Sequence, residues 1–284
     1  MAKIKFIVDG TEDLPNEYLK ANDIAKLPLV VHFPSEEKEY VDGVNITTEK
    51  LYELVKEKGE LPKTAARSVG DFIEIFDKYL KEGYDYILFF GISSLFSSTV
   101  QNALIASSEF EGKVFVHDTM NLSTGEGLQV VKAVKWRNEG DSIETICEKL
   151  KELAPKVRSQ FVIDSLEYLY KGGRCSGMAF FFGKTLKIHP IIRVVDGKMI
   201  VYKKPLGKMK NGLDKLLEIY KEDLPVMDKE TVMITQSVAP ISGEYLNGEV
   251  SKDIPAKNIM NTNAGCVISS HCGPGTIGIL YIVK

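Results

Sequence analysis

No stretch of the 284-residue sequence is apolar for the roughly 20 residues that a membrane-spanning helix needs. Met1–Lys5 leads straight into a strand-like segment, so neither a signal peptide nor stable membrane insertion is expected. Cysteine is sparse. Cys147, Cys175, Cys266 and Cys272 form no C-x-x-C pair, which together with the missing signal peptide predicts reduced thiols in the cytoplasm. His271 stands beside Cys272, but the other histidines, His32, His117 and His189, complete no zinc-ligand spacing, and no metal is expected. Positive charge is not in surplus either. With 36 Lys and Arg against 39 Asp and Glu, the net charge of −3 leaves no basic surface to neutralise a phosphate backbone, which argues against nucleic acid as a primary partner.

Catalytic signatures are missing as well. There is no G-x-S-x-G elbow and no P-loop, and Gly172-Gly173-Arg174 has neither the spacing nor the strand–turn–helix setting of a dinucleotide fingerprint. Hydrolysis by a serine with His271 would require an orienting carboxylate that no motif supplies. A protein without its own catalytic set and without a cofactor is expected.

What is present describes a globular protein, 44% hydrophobic and 26% charged, long enough that two domains are expected. Ile4–Val8 reads as a strand ending in the turn Asp9-Gly10-Thr11, with Pro15 near the start of a short helix. Ile24–Phe33 reads as one buried strand. Thr47 and Thr48 offer a cap for a helix over Lys50–Lys58, and Val69–Leu80 is an amphipathic helix. Tyr86–Phe90 is continuously apolar, as a strand is when helices cover both faces. Helices from Thr99 to about Ser107, to about Asn138 and to near Pro155 alternate with a strand at Lys113–His117, which implies a mainly parallel sheet.

After Val157 the pattern changes. Ile188–Val195 and Lys198–Lys203 flank Asp196-Gly197, a strong hairpin signal. Leu213–Tyr220 and Ser242–Val250 read as helices, Val232–Thr235 as a strand, and Val267–Ser270 and Ile277–Val283 as closing strands around the glycine-rich His271–Gly275 loop. The expected architecture is α/β, with a mainly parallel α/β domain over residues 1–157 and an α+β domain with a mixed or antiparallel sheet over residues 158–284.

Three polar loops follow apolar strands: Asp9-Gly10-Thr11, Ser93 through Thr99, and Asp118-Thr119-Met120-Asn121. Ligands of open parallel sheets bind beyond the carboxyl ends of the strands. Five hydroxyl residues lie within the seven positions 93–99, where a helix begins, so they can meet an anion together with free backbone N–H groups. Any one of Ser97, Ser98 and Thr99 taken alone is explained by capping that helix. Phe180-Phe181-Phe182 lies in an all-apolar run that suits either a core or the wall of a greasy tunnel.

These segments together resemble the DegV family, and specifically the fatty-acid-binding subunits of bacterial fatty acid kinase. The resemblance runs end to end through Asp9 to Pro15, Val41-Asp42-Gly43-Val44, Lys63-Thr64, Ser93 to Thr99, Leu169 to Arg174, and Ser270 to Gly278. It implies one long-chain fatty acid buried with its carboxylate near the domain junction, held by Thr64, Ser97 and His271, with Ser98 alongside. Arg174 is implied near the carboxylate or the docking site of an ATP-dependent kinase subunit, which would make an acyl-phosphate for phospholipid synthesis. The chain departs from the family at Gly10, where Ser is usual, at Ala65-Ala66-Arg67, where Ser-Gln-Pro is usual, at Phe96 for Leu, and at Ser98 for Gly. Two other readings remain open. One is an autonomous enzyme, either an acyl hydrolase using Ser97 and His271 or a small-molecule kinase; the other is a lipid carrier or sensor without a kinase.

Overall fold

The computed structural model describes residues 2–164, 166–176 and 188–284. The first half runs β1 (Ile4–Val8), α1 (Asn16–Ala21), β2 (Ile24–Lys26), β3 (Val30–His32), β4 (Glu39–Val41), α2 (Thr48–Lys58), β5 (Lys63–Ala65), α3 (Val69–Lys81), β6 (Tyr86–Gly91), α4 (Thr99–Ser107), β7 (Val114–Asp118), α5 (Thr124–Glu139) and α6 (Ile143–Leu153). Strands and helices alternate here, as expected. The remainder runs β8 (Val157–Val162), α7 (Leu166–Gly172), β9 (Cys175–Ser176), β10 (Ile191–Val195), β11 (Lys198–Lys203), α8 (Met209–Asp223), β12 (Met227–Ser237), α9 (Pro240–Val250), β13 (Ile259–Asn263), α10 (Cys266–Cys272) and β14 (Thr276–Val283).

A four-stranded sheet in the order β2-β1-β6-β7 is parallel throughout. Its central strands are apolar on both sides because both sides are covered. Ile7, Ile87 and Phe89 pack on Phe72 and Phe76 of α3 and on Ala103 of α4. Phe6, Leu88 and Phe90 face Leu128 of α5 and Ile146 and Leu150 of α6. The second sheet is mixed, in the order β13-β12-β14-β8-β10-β11-β9, antiparallel through its centre with parallel pairs at its edges. Helices α8 and α9 cover one face with Leu216, Tyr220 and Leu246. On the other face Met233 and Leu280 join the same core as Leu128 and Val130. Helix α5 is therefore sandwiched between two sheets, and every residue from Thr124 to Val130 is buried. A helix surrounded in this way has no solvent-facing stripe, which is why its sequence shows little amphipathic pattern.

The structure departs from the sequence reading in two places. Ile24–Phe33 is not one strand. It breaks at Pro28, whose ring removes the amide a ladder needs, so β2 stays in the parallel sheet while β3 joins β4 and β5 in a separate antiparallel sheet. Strands β4 and β5 are three residues each, too short to show a period in sequence. The second departure is Val267–Ser270, read as a strand, which lies inside helix α10.

The cause of that helix lies far away in the chain. The first N–H groups of a helix have no internal partner. In α10, Cys266 N donates to Asp42 Oδ1 at 2.7 Å and Val267 N to Asp42 Oδ2 at 2.8 Å. Gly265 N donates to Asp13 Oδ1 at 2.8 Å. Two carboxylates from the first half thus cap the helix, with charge of the sign that a helix N-terminus favours. Asp42→Ala would leave two buried donors unmatched. The substitution is expected to cost about 2–3 kcal/mol, read as a lower urea midpoint at unchanged m-value.

Candidate functional site

A cavity of about 680 Å³ opens where β5, the turn between β6 and α4, α7 and α10 converge against the second sheet. Leu29, Ile92, Phe96, Phe161, Leu169 and Leu280 are among the apolar side chains on its wall. Several hydroxyls also line it, but their bonding is already committed elsewhere. Ser123 donates to Asp13, Thr235 pairs with Thr124 and Thr262, and Ser237 pairs with Ser269. Thr276 donates to the Cys272 carbonyl at 2.8 Å. With hydrogen bonds made inside the protein, these groups have fewer donors and acceptors to offer a ligand than their number suggests.

The polar exception is a pair. Thr64 on β5 and His271 in the last turn of α10 both face the cavity, and Thr64 Oγ1 lies 2.9 Å from His271 Nε2. The other ring nitrogen, Nδ1, is buried without a hydrogen-bond partner among the described residues. A Cβ added at Gly172 would come within 2.7 Å of Nδ1, so α7 packs against the imidazole with no room to spare. Burial, and then the neighbouring Arg174 guanidinium, push the His271 pKa down to about 4. The imidazole is neutral at physiological pH, able to donate from one nitrogen and accept at the other.

Ser97 lines the cavity beside this pair, with Oγ 2.8 Å from Thr99 Oγ1 and accepting from Thr99 N at 3.3 Å. It takes part in the start of α4 as the capping reading held. Ser98 is exposed at the cavity rim and makes no capping bond. Arg174 follows Gly173, whose φ of +69° suits glycine, and it is an exposed rim residue whose Nη1 donates to the Gly172 carbonyl at 2.7 Å. Thr64, Ser97, Ser98, Arg174 and His271 therefore meet at one cavity, although they span 208 positions of chain. Phe180, Phe181 and Phe182 lie outside the described residues.

Among the described residues, no carboxylate hydrogen-bonds to His271, and its Nε2 partner is Thr64 rather than Ser97. Cys272 lines the cavity too, but burial raises its thiol to about 12, so it is held protonated. The departures from the family pattern also find places. Gly10 has φ +91° and would press a Cβ to 3.0 Å from Pro28, so a side chain there is strained. Arg67 turns to the Pro28 carbonyl, donating from Nε at 2.6 Å. Ala65 and Ala66 do line the cavity, and there they extend its apolar wall. Sequence reasoning missed Phe161, Leu169 and Leu280, since a buried strand or helix residue carries no mark that it borders a void.

Two stacked sheets with an apolar cavity and one neutral polar pair define an α/β protein with a ligand-sized site. The family model described as "Uncharacterised protein, DegV family" matches residues 3–284, and the chain belongs to the DegV family. It is 31% identical over 278 residues to a protein of Thermotoga maritima named fatty acid-binding protein, an alignment covering 97% of this chain and 96% of that one. A fatty-acid-binding DegV family protein from Thermus thermophilus has a similar structure, with a TM-score of 0.92 at 29% identity over 99% of this chain and 100% of the other. A stearic-acid-binding protein from Eubacterium ventriosum matches with a TM-score of 0.83 at 26% identity, covering 100% of this chain and 99% of that one.

The depressed His271 pKa has a measurable signature. A side-chain NMR titration of the ligand-free protein is expected to place its midpoint near 4, against about 6.5 for an unfolded chain. Because the folded value is the lower one, the unfolded state binds the extra proton. The contribution of His271 to stability is then complete above about 6.5 and is lost as pH falls toward 4.

Proposed function

We propose that this protein binds one long-chain fatty acid, with the acyl chain in the cavity and the carboxylate at Thr64 and His271. The observation that carries this reading is the contrast within the cavity: a wall whose hydroxyls are largely spent on neighbours, and the half-buried pair Thr64 and His271, whose ring nitrogen Nδ1 has no hydrogen-bond partner among the described residues. The volume of about 680 Å³ falls within the roughly 300–1,000 Å³ of ligand pockets. At about 0.8 kcal/mol per buried CH₂, a chain of some sixteen to eighteen carbons gains on the order of 10 kcal/mol before association costs. A buried carboxylate needs donors; the Thr64–His271 pair uses one of its two protons internally and can offer the other, and Ser97 can offer a second through its rotor. The fatty-acid binding named for relatives of similar fold supports the same ligand class.

Finer than this is the role of the bound acid. The proposed protein is a presenter and not a catalyst: it holds the carboxylate at the rim, where a partner kinase with ATP forms the acyl-phosphate. Arg174 suits a docking role because it is exposed at that rim and has a fixed fork of donors for carboxylate or phosphate. The setting is cytoplasmic, consistent with four free cysteines and with no described helix long and apolar enough to cross a membrane.

Denaturing mass spectrometry of the purified protein is expected to release about one fatty acid per chain. Thr64→Ala, Ser97→Ala and His271→Ala should each weaken binding of a fluorescent fatty acid by about 1–3 kcal/mol, roughly 5- to 150-fold. Wild-type affinity in all three would place the carboxylate elsewhere, and turnover of ATP or an acyl ester by the protein alone would replace binding with catalysis. Arg174→Ala separates binding from presentation. Fatty-acid affinity should stay within about twofold, while acyl-phosphate formation with a cognate kinase and ATP falls at least about tenfold. Equal loss in both assays would make Arg174 a ligand or folding residue instead.

A further inference from the structure

A second polar cluster lies behind the cavity wall, and binding of a fatty acid makes no use of it. Asp9 at the end of β1, Glu12 three residues on, and Glu126 in the first turn of α5 are all fully buried. One carboxylate oxygen from each lies within 4.8 Å of the other two. Asp9 is well supplied with donors: Oδ1 accepts from Thr11 N at 2.8 Å and Thr11 Oγ1 at 2.7 Å, and Oδ2 accepts from Ile92 N at 2.8 Å. The Thr11 hydroxyl has only one proton. Given to Asp9, it is not available to Glu126 Oε2, which lies farther off at 3.1 Å. Glu126 Oε1 and Glu12 Oε2 have no hydrogen-bond partner among the described residues, and both are buried.

Charge counting sharpens the problem. Lys26 Nζ sits 2.8 Å from Glu12 Oε1 and, among the described residues, supplies the one positive charge paired with the trio. Three ionised carboxylates and one ammonium would leave two negative charges uncompensated in a site without solvent, so protons or a bound cation must neutralise them, and burial does raise the pKa of both Asp9 and Glu126. Two oxygens on one Ca²⁺ at about 2.3–2.6 Å stand at most about 5 Å apart, and the three oxygens lie within 4.8 Å of one another; Mg²⁺ at about 2.1 Å would draw them to about 4 Å or less. An all-carboxylate donor set selects a hard ion over a soft one.

We infer that Asp9, Glu12 and Glu126 together hold one hard divalent cation, Mg²⁺ or Ca²⁺, between the end of β1 and helix α5. The ion completes the coordination of the two orphaned oxygens and neutralises the residual charge. Its place is structural. Through Asp9 it fixes Ile92, which lines the cavity, and through Glu126 it ties the sandwiched helix to the first strand. Being enclosed, the ion enters as the chain folds and exchanges only when the chain opens.

The test uses the full chain unfolded in guanidinium chloride with EDTA, then refolded in EDTA, in Mg²⁺ or in Ca²⁺. Elemental analysis by mass spectrometry after gel filtration is expected to find about one equivalent of one of the two ions per chain. The melting temperature should rise with the concentration of that ion and be lowest in EDTA, as linkage requires of a ligand that binds only the folded state. Glu126→Gln should lose both the bound ion and the dependence of melting on it, and Glu12→Gln serves the same purpose if the first variant does not fold. Wild-type protein that retains no ion and melts identically in all three buffers would overturn the inference. So would a Glu126→Gln variant as stable as the wild type, since the carboxyl would then be holding a proton. Because ion content and melting are read without fatty acid, either result leaves the assignment of the cavity untouched.

Discussion

The grip of Asp42 on the start of helix α10 is the contact on which the ligand cavity most depends. Both carboxylate oxygens are used, on the N–H groups of Cys266 and Val267, across more than 220 residues of chain. The helix so anchored is only seven residues long, too short to stand without tertiary support. It carries His271 in its final turn and packs Val267 against Leu29, Val31 and Leu51. Without the anchor, the imidazole has no fixed direction and Thr64 no partner. The anion that holds the helix and the pair that faces the cavity are thus successive parts of one chain of contacts.

The same economy governs the hydroxyls. Threonine and serine are frequent around the cavity, which in isolation suggests a wet and polar site. In the fold, Ser123, Thr235, Ser237 and Thr276 each spend hydrogen bonds on a buried neighbour, which leaves them less to offer a ligand. Polarity then concentrates at Thr64 and His271 by subtraction, since these are what remains open. A carboxylate has one well-defined place to go, and a methylene chain has the rest.

Much of this was legible beforehand, and the parts that were not have identifiable causes. The parallel strands showed themselves because Ile4–Val8 and Tyr86–Gly91 are buried on both faces and so are apolar without interruption. Helix α3 declared itself through its apolar stripe, and the structure adds a Ser68–Asp71 capping box at its start. The hydroxyl loop and the closing His-Gly segment stood out by composition, and their meeting with Thr64 was foreseen only by resemblance to a family. What local pattern did not reveal was the helix at Cys266–Cys272 capped by Asp42, the split of Ile24–Phe33 between two sheets, and the inward turn of Asp9, whose loop had looked like a ligand contact. For the helix and for Asp9 a deciding partner lies 83 or more residues away, whereas the split turns on Pro28 within the segment and on the short strands β4 and β5 that β3 joins.

The two glycines before Arg174 invite a reading as a hinge, and they differ in kind. Gly173 has a backbone conformation that side chains resist, whereas Gly172 sits in ordinary helix and is distinguished by what a methyl group would strike, the His271 ring at 2.7 Å from Nδ1. Missing bulk there works as a mould. With Thr64 on one edge and bare main chain on the other, the imidazole is confined to a slot of its own thickness, and its swivel is stopped by the absence of a side chain. Glycine, usually counted as the residue that loosens a protein, here supplies the tight tolerance that keeps a reactive-looking ring still.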